Sequence, residues 1–392
     1  MKPSLEIRAG QLYTPEAQLA GVSIWIEGDS IVEIGAGRHA ADRLLEAPVV
    51  APGMIDLHIN GAGGGDAADG TLAALRKMAQ SQARHGTTGF IPTLITGPDD
   101  LLVKASAGLA ATWSQPCGGA RPLGIHLEGP FLSPARRGAH PAQYLQPPSQ
   151  SLWDAVQHAS GNRYVMLTLA PELPGALELI EHVRDQIPIR SVGHSDATYQ
   201  EVRAALDSGA NFATHVFNAM RELSHREPGI AGAVLSEPIA VELIADGVHV
   251  HPAIVRMVAA AKGPDLLILV TDAIAAADMP DGLYELGTLR VVVRDGICRG
   301  SEGQLAGSTL TMDVALRNLQ RWTGWPLADC LRTVTSNPAR MLGLQSTKGT
   351  LHPGADADVV LFSDTLEVQA TVVAGEVVWE AGINREAQPQ GS

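Results

Sequence analysis

Glu128, His194 and His215 lie far apart in the chain, yet each closes a short apolar run. The clearest case is Gly124-Ile125-His126-Leu127-Glu128, which rises through Leu123, Ile125 and Leu127 and stops at Gly129-Pro130. A carboxylate at the end of a buried strand is costly unless a positive group neutralises it. No Lys or Arg lies in this run. Two imidazoles and one carboxylate, with water as a further ligand, suit a catalytic divalent ion, Zn²⁺ first and Fe²⁺, Co²⁺ or Mn²⁺ after it, with one ion per subunit. Asp272 follows Leu-Ile-Leu-Val-Thr in the same way and has the chemistry of a general base. A metal acidifies water, and the carboxylate takes the proton and later returns it to a leaving group. Each residue alone has an ordinary alternative. Glu128 could face water, Asp272 could cap a loop, and any one of 13 histidines could be a surface or core residue. Their shared position at run ends is the signal.

Eight β-branched or aliphatic runs could carry these groups. They cover 49–59, 89–95, 123–128, 164–170, 187–193, 212–217, 241–246 and 266–271. Segments of helical period separate several of them, at 72–85, 101–113, 175–185, 198–208 and 252–261. Eight buried strands alternating with helices predict a TIM-like (β/α)8 barrel of the α/β class, in which the strand ends share one catalytic rim. The other run ends, Asp56-Leu57-His58-Ile59-Asn60 and Asp246-Gly247-Val248-His249, fall on the same rim. Gly61-Ala62-Gly63-Gly64-Gly65 has neither dinucleotide nor P-loop spacing and is read as a flexible loop. A hairpin is expected at 289–299, followed by helices from Met312 and Leu327.

Short alternating strands fill 1–50 and return at 349–382. Neither set stands alone, so the two are expected to form a small β-sandwich domain, with the barrel over 51–348 and a polar tail at 383–392. A net charge of −14 argues against nucleic acid and anionic membranes as partners. Cys117, Cys298 and Cys330 are scattered and form no CxxC, which indicates neither a disulfide framework nor a thiolate metal site. With no apolar leader and no spanning run, a cytoplasmic protein is expected.

In addition, the chain resembles the amidohydrolase superfamily and, within it, the N-acetylglucosamine-6-phosphate deacetylases. The likeness rests on Pro52-Gly53-Met54-Ile55-Asp56, His126-Leu127-Glu128-Gly129-Pro130-Phe131, Arg137-Gly138-Ala139-His140-Pro141, Gly193-His194-Ser195 and Thr214-His215-Val216-Phe217-Asn218-Ala219-Met220. It continues through His225-Arg226-Glu227-Pro228-Gly229, Asp246-Gly247-Val248-His249, Thr271-Asp272-Ala273 and Leu305-Ala306-Gly307-Ser308. The first box marks only the superfamily; the Glu-Gly-Pro, Phe-Asn-Ala-Met and His-Arg-Glu-Pro-Gly boxes are more specific.

The resemblance implies a homodimeric, metal-dependent hydrolase that removes the acetyl group of a phosphorylated amino sugar. It assigns the metal to Glu128, His194 and His215, acid/base work to Asp272, and oxyanion stabilisation to His140. Substrate contacts fall to Ala139, His140, Asn218, Ala219, Arg226, Asp246, His249, Leu305, Ala306 and Gly307. Arg226 alone would read as a surface arginine paired with Glu222 or Glu227.

The chain departs from many superfamily members at His58-Ile59-Asn60, where they carry His-x-His; Asn is a poor ligand, so His58 supports at most a weaker second ion. None of Lys2, Lys77, Lys104, Lys262 or Lys348 ends a barrel strand, so a carbamylated-lysine bridge is absent. Two rival readings remain open: a deacetylase of another substrate such as N-acetylgalactosamine 6-phosphate or an acyl amino acid, and an inactive barrel that acts as a binding protein.

Overall fold

The computed structural model describes residues 3–382; the polar tail read at 383–392 lies outside them. Eight parallel strands follow one another in chain order: Met54–Ile59, Thr87–Ile95, Ile125–Glu128, Tyr164–Leu169, Ile189–Val192, Phe212–Ala213, Ala240–Leu243 and Leu267–Leu269. The last meets the first through a parallel bridge between Ile59 and Ala273, and Asp272 N donates to His58 O at 2.9 Å. The expected TIM-like barrel is the fold. Its core is apolar, with Phe90, Leu127, Leu167, Val192, Val241 and Ile268 buried.

The helices between strands form where capping and period agree. Thr71 accepts from Ala74 N at the start of Leu72–Arg84, and Thr198 and Glu201 close a capping box at Tyr199–Ser208. Leu75, Met78 and Ala79 of the first, and Val202 and Ala205 of the second, face the barrel.

The apolar run at 49–59 is not one strand. Arg43–Pro52 pairs with Ser4–Tyr13 and Val359–Phe362, and only Met54–Ile59 enters the barrel. The break falls at Gly53, where a Cβ would come within 2.1 Å of Thr88 Oγ1. The small β-domain built by the two chain ends is a continuous seven-stranded sheet. Its own core includes Ile7, Leu12, Ile24, Ile26, Val50 and Val359. Gly61–Gly65 is no loose loop: Gly61–Ala62 and Gly65–Asp66 pair in a buried turn, where a Cβ on Gly65 would meet Ala74 O at 2.4 Å. The expected hairpin gains a third strand, giving Gly282–Leu286, Leu289–Arg294 and Ile297–Arg299. Leu286, Val291, Val293 and Cys298 of this sheet pack on Ile95 and Ile274 at the barrel mouth.

One polar clasp joins the first and last parts of the barrel shell. His85 Nε2 is 2.8 Å from Asp278 Oδ1, and its Nδ1 is 3.0 Å from Asp313 Oδ1. Burial opposes a charge on His85, but the two carboxylates prevail and raise its pKa to about 9. The folded value lies above the unfolded 6.5, so the stabilisation is complete below about pH 6.5 and fades as pH rises through about 9. His85→Leu should lower stability by about 1.5–3 kcal/mol at pH 6, with the deficit shrinking toward pH 9.5. Thermal unfolding across that range checks it; a deficit independent of pH would contradict it.

Candidate metal centre and active site

Glu128 ends the third barrel strand, and His194 and His215 follow the fifth and sixth. Both histidines leave their strands with positive φ, 48° and 25°, as do Phe217, Ala219 and Asp272 at 76°, 51° and 48°. Non-glycine residues rarely adopt such angles, and their clustering at one mouth marks a built site.

His194 Nε2 and His215 Nε2 each lie 3.0 Å from Glu128 Oε1 and 3.1 Å from one another. All three residues are buried. Burial, then the neighbouring His140, pushes the pKa of His194 down to about 4, so the ring is neutral. Its Nδ1 faces Arg136 O at 3.1 Å, which assigns the proton there and leaves Nε2 a lone pair. Two imidazole nitrogens and one carboxylate oxygen thus converge on one point. A proton on His215 would relieve some of these contacts; a divalent cation relieves all of them. The donor set therefore fits a divalent ion. Burial opposes ionisation of Glu128, yet the charge on His58 and the close approach of His140, His194 and His215 hold its pKa well below the usual range. Without an added charge it is already the anionic ligand such an ion needs.

Asp272 stands across the mouth, where His58 Nε2 is 3.5 Å from its Oδ1. Asn60 Nδ2 donates to the same Oδ1 at 2.7 Å, so the residue that replaces a second ligand histidine orients the proposed base instead. His140 Nδ1 is 2.8 Å from Thr96 Oγ1, and its Nε2 is 3.6 Å from Glu128 Oε2.

His58 is fully buried and lies outside the three-residue group. Its Nδ1 faces Glu242 Oε2 at 3.1 Å, while its Nε2, without a hydrogen-bond partner, points at Glu128 Oε2 3.4 Å away. Burial disfavours a charge there, but Glu128, Glu242 and Asp272 raise its pKa well above the ordinary value. Its ring is thus held among three carboxylates.

A cavity of about 280 Å³ opens over these groups and is lined by Ala139, His140, Asn218, Ala219, His249, Leu305 and Gly307 among others. Three expected contacts lie elsewhere. Asp246 Oδ2 binds His249 Nδ1 at 2.6 Å and so orients that ring, away from the cavity lining. Ala306 is buried behind it in the apolar cluster of the three-stranded sheet. Arg226 is exposed, and its guanidinium makes no ion pair with Glu222, Glu227 or any other described residue.

Several buried groups around the centre have no role in the sequence reading. Glu242 is fully buried in the seventh strand, where its Oε2 also accepts from His215 N at 3.2 Å. Asp56 is equally buried, accepts from Thr271 Oγ1 at 2.5 Å, and is pushed up to about 7 by burial. His126 lies below the centre between Thr93 Oγ1 and Thr168 Oγ1, at 3.2 and 2.8 Å. Burial, then His58, holds it neutral. A charged residue inside an apolar run was the visible signal for Glu242.

The sequence model of the Amidohydrolase family matches residues 49–378. An N-acetylglucosamine-6-phosphate deacetylase of Bacillus subtilis (strain 168) is 39% identical over 351 residues, 88% of each chain. An N-acetylgalactosamine-6-phosphate deacetylase of Escherichia coli O157:H7 is 38% identical over 95% of this chain and 98% of its own. A solved mutant N-acetyl-D-glucosamine-6-phosphate deacetylase from Mycobacterium smegmatis, in complex with N-acetyl-D-glucosamine-6-phosphate, superposes with a TM-score of 0.90 at 38% identity. That superposition covers 96% of this chain and 99% of the other. No helix among the described residues is long and apolar enough to cross a membrane.

Proposed function

The chain belongs to the amidohydrolase family, and on that premise we propose that it hydrolyses the acetamide of N-acetyl-D-glucosamine 6-phosphate. The products are D-glucosamine 6-phosphate and acetate, which places the enzyme in amino-sugar metabolism. The observation that carries this reading is the meeting of Glu128 Oε1 with two histidine Nε2 atoms at 3.0 Å, in a cavity that Asp272 also lines.

Glu128, His194 and His215 would hold one divalent ion per chain, Zn²⁺ by preference for a carboxylate and two imidazoles. Such an ion supplies Lewis acidity, which acidifies water and polarises a carbonyl. Asp272, held by Asn60, takes the proton of the attacking water and delivers it to the departing amine nitrogen. With Thr96 donating to Nδ1, His140 carries its proton on Nε2 and offers it to the developing oxyanion. His249, oriented by Asp246, and Leu305 and Gly307 hold the sugar.

Asn218 and Ala219 line the cavity near the expected phosphate. Arg226 is exposed, and its guanidinium has no ion-pair partner among the described residues, which supports a homodimer in which it completes the neighbour's phosphate pocket. The enzyme acts in the cytoplasm and on neither nucleic acid nor membranes.

A panel of free and 6-phosphorylated N-acetyl hexosamines, assayed for acetate with added Zn²⁺, tests the reading. Phosphorylated N-acetylglucosamine should lead. The Escherichia coli relative supports N-acetylgalactosamine 6-phosphate as the second candidate. Arg226→Ala should cut the advantage of the phosphorylated over the free sugar in kcat/KM by about 10–100-fold. An unchanged ratio would remove Arg226 from phosphate binding.

A further inference from the structure

We propose that Ile95 is the wall that limits how long an N-acyl group the site accepts, an inference that rests on the deacetylase reading above. The cavity over Glu128 is lined by two chemically different sets of side chains. Asn218, His249 and Gln304 are polar, whereas Ile95, Leu286 and Leu289 belong to one apolar cluster and make an apolar corner. Ile95 ends the second barrel strand directly opposite Glu128 on the third. The next residue, Thr96, holds His140. The scissile carbonyl must sit against His140 and the group around Glu128, so its two substituents point to opposite ends of the cavity. The sugar carries hydroxyls and a phosphate, which would lose their hydrogen bonds in the apolar corner. The acyl chain is the substrate's only wholly carbon substituent. It therefore faces Ile95.

Beside Ile95 lies a second cavity of about 160 Å³, lined mainly by apolar groups such as Leu94, Leu101, Leu102 and Ala105, with Asp69, Lys104 and Thr288 also on its wall. Ile95 lines both cavities. It is 7% exposed and belongs to the apolar cluster with Ile274 and Leu286. The turn at Gly287 presses on it so closely that an added Cβ there would lie 3.2 Å from Ile95 Cγ1. The side chain is held in place as a partition between the site and a mainly apolar space beyond it. Trimming it joins the two spaces, and each added methylene of a longer acyl group then finds apolar surface instead of a collision.

The test compares N-acetyl-, N-propionyl- and N-butyryl-glucosamine 6-phosphate on the Zn²⁺-loaded full chain, wild type and Ile95→Ala, by carboxylate release. The wild type should prefer acetyl over butyryl by at least about tenfold in kcat/KM. Ile95→Ala should raise the butyryl-to-acetyl ratio by about 10–100-fold. Adding Leu101→Phe, which fills the second cavity, should reverse that gain. If Ile95→Ala does not fold, Ile95→Val decides on the propionyl-to-acetyl ratio, which should rise severalfold. A folded, metal-loaded variant with an unchanged ratio overturns the proposal, as does a wild type that cleaves butyryl as fast as acetyl. A wild type that releases no acetate from any phosphorylated hexosamine overturns the deacetylase reading and the wall with it.

Discussion

Asp272→Asn should reduce acetate release by about 10²–10⁴-fold, the usual worth of a positioned acid/base group, while the protein keeps its metal. The backbone around Asp272 is fixed from both sides, because its N–H donates to His58 O at 2.9 Å and its carbonyl accepts from Ser308 N at 2.8 Å. The substitution changes the chemistry of the side chain and hardly its place. An amide cannot take a proton from water, and the Asn60 donor at 2.7 Å then faces an amide in place of an anion. Acetate release and metal content, measured on one preparation, separate this from loss of the site. A metal-loaded Asp272→Asn protein that retains a tenth of the wild-type rate would exclude Asp272 as the base.

The second large effect concerns Glu128. It is the only carboxylate of the three converging groups, and the side chains of His58, His140, His194 and His215 all approach it within 3.6 Å. Glu128→Gln removes the anion that draws a cation into a buried site. Dialysed protein should therefore fall from about one ion per chain to almost none, with turnover lost alongside. Wild-type protein should gain about 2.7 kcal/mol of stability when free Zn²⁺ is 100 times its dissociation constant. Glu128→Gln should gain little from the same addition. Equal thermal shifts in the two proteins would place the ion elsewhere.

The strand-end groups were legible because alternation and length mark a buried strand, and a polar residue at its end is conspicuous. His194, His215, Glu128 and Asp272 all came out of that pattern. Val49 to Ile59 reads as one apolar run, and the break shows only in the Pro52-Gly53 pair inside it; crowding by Thr88 leaves no room for a side chain at Gly53. Phe212–Ala213 is also shorter than its apolar run, because His215 and Phe217 already turn through positive φ. Glu242 lies inside its strand and not at the end, although a carboxylate in mid-strand is the costlier placement. Its partner His58 comes from a strand 184 residues earlier, a pairing no local pattern encodes. Arg226 shows the opposite limit. Its motif pointed to phosphate, but within one chain it stays at the surface.

The central claim is that one cation, held by Glu128, His194 and His215, makes this barrel a hydrolase. Titrating chelator-treated protein with Zn²⁺ while following acetate release from N-acetyl-D-glucosamine 6-phosphate tests it most directly. The rate should rise linearly and break at one equivalent per chain, with no rise for Glu128→Gln. Full activity in the stripped protein, or a break only at two equivalents, would contradict it.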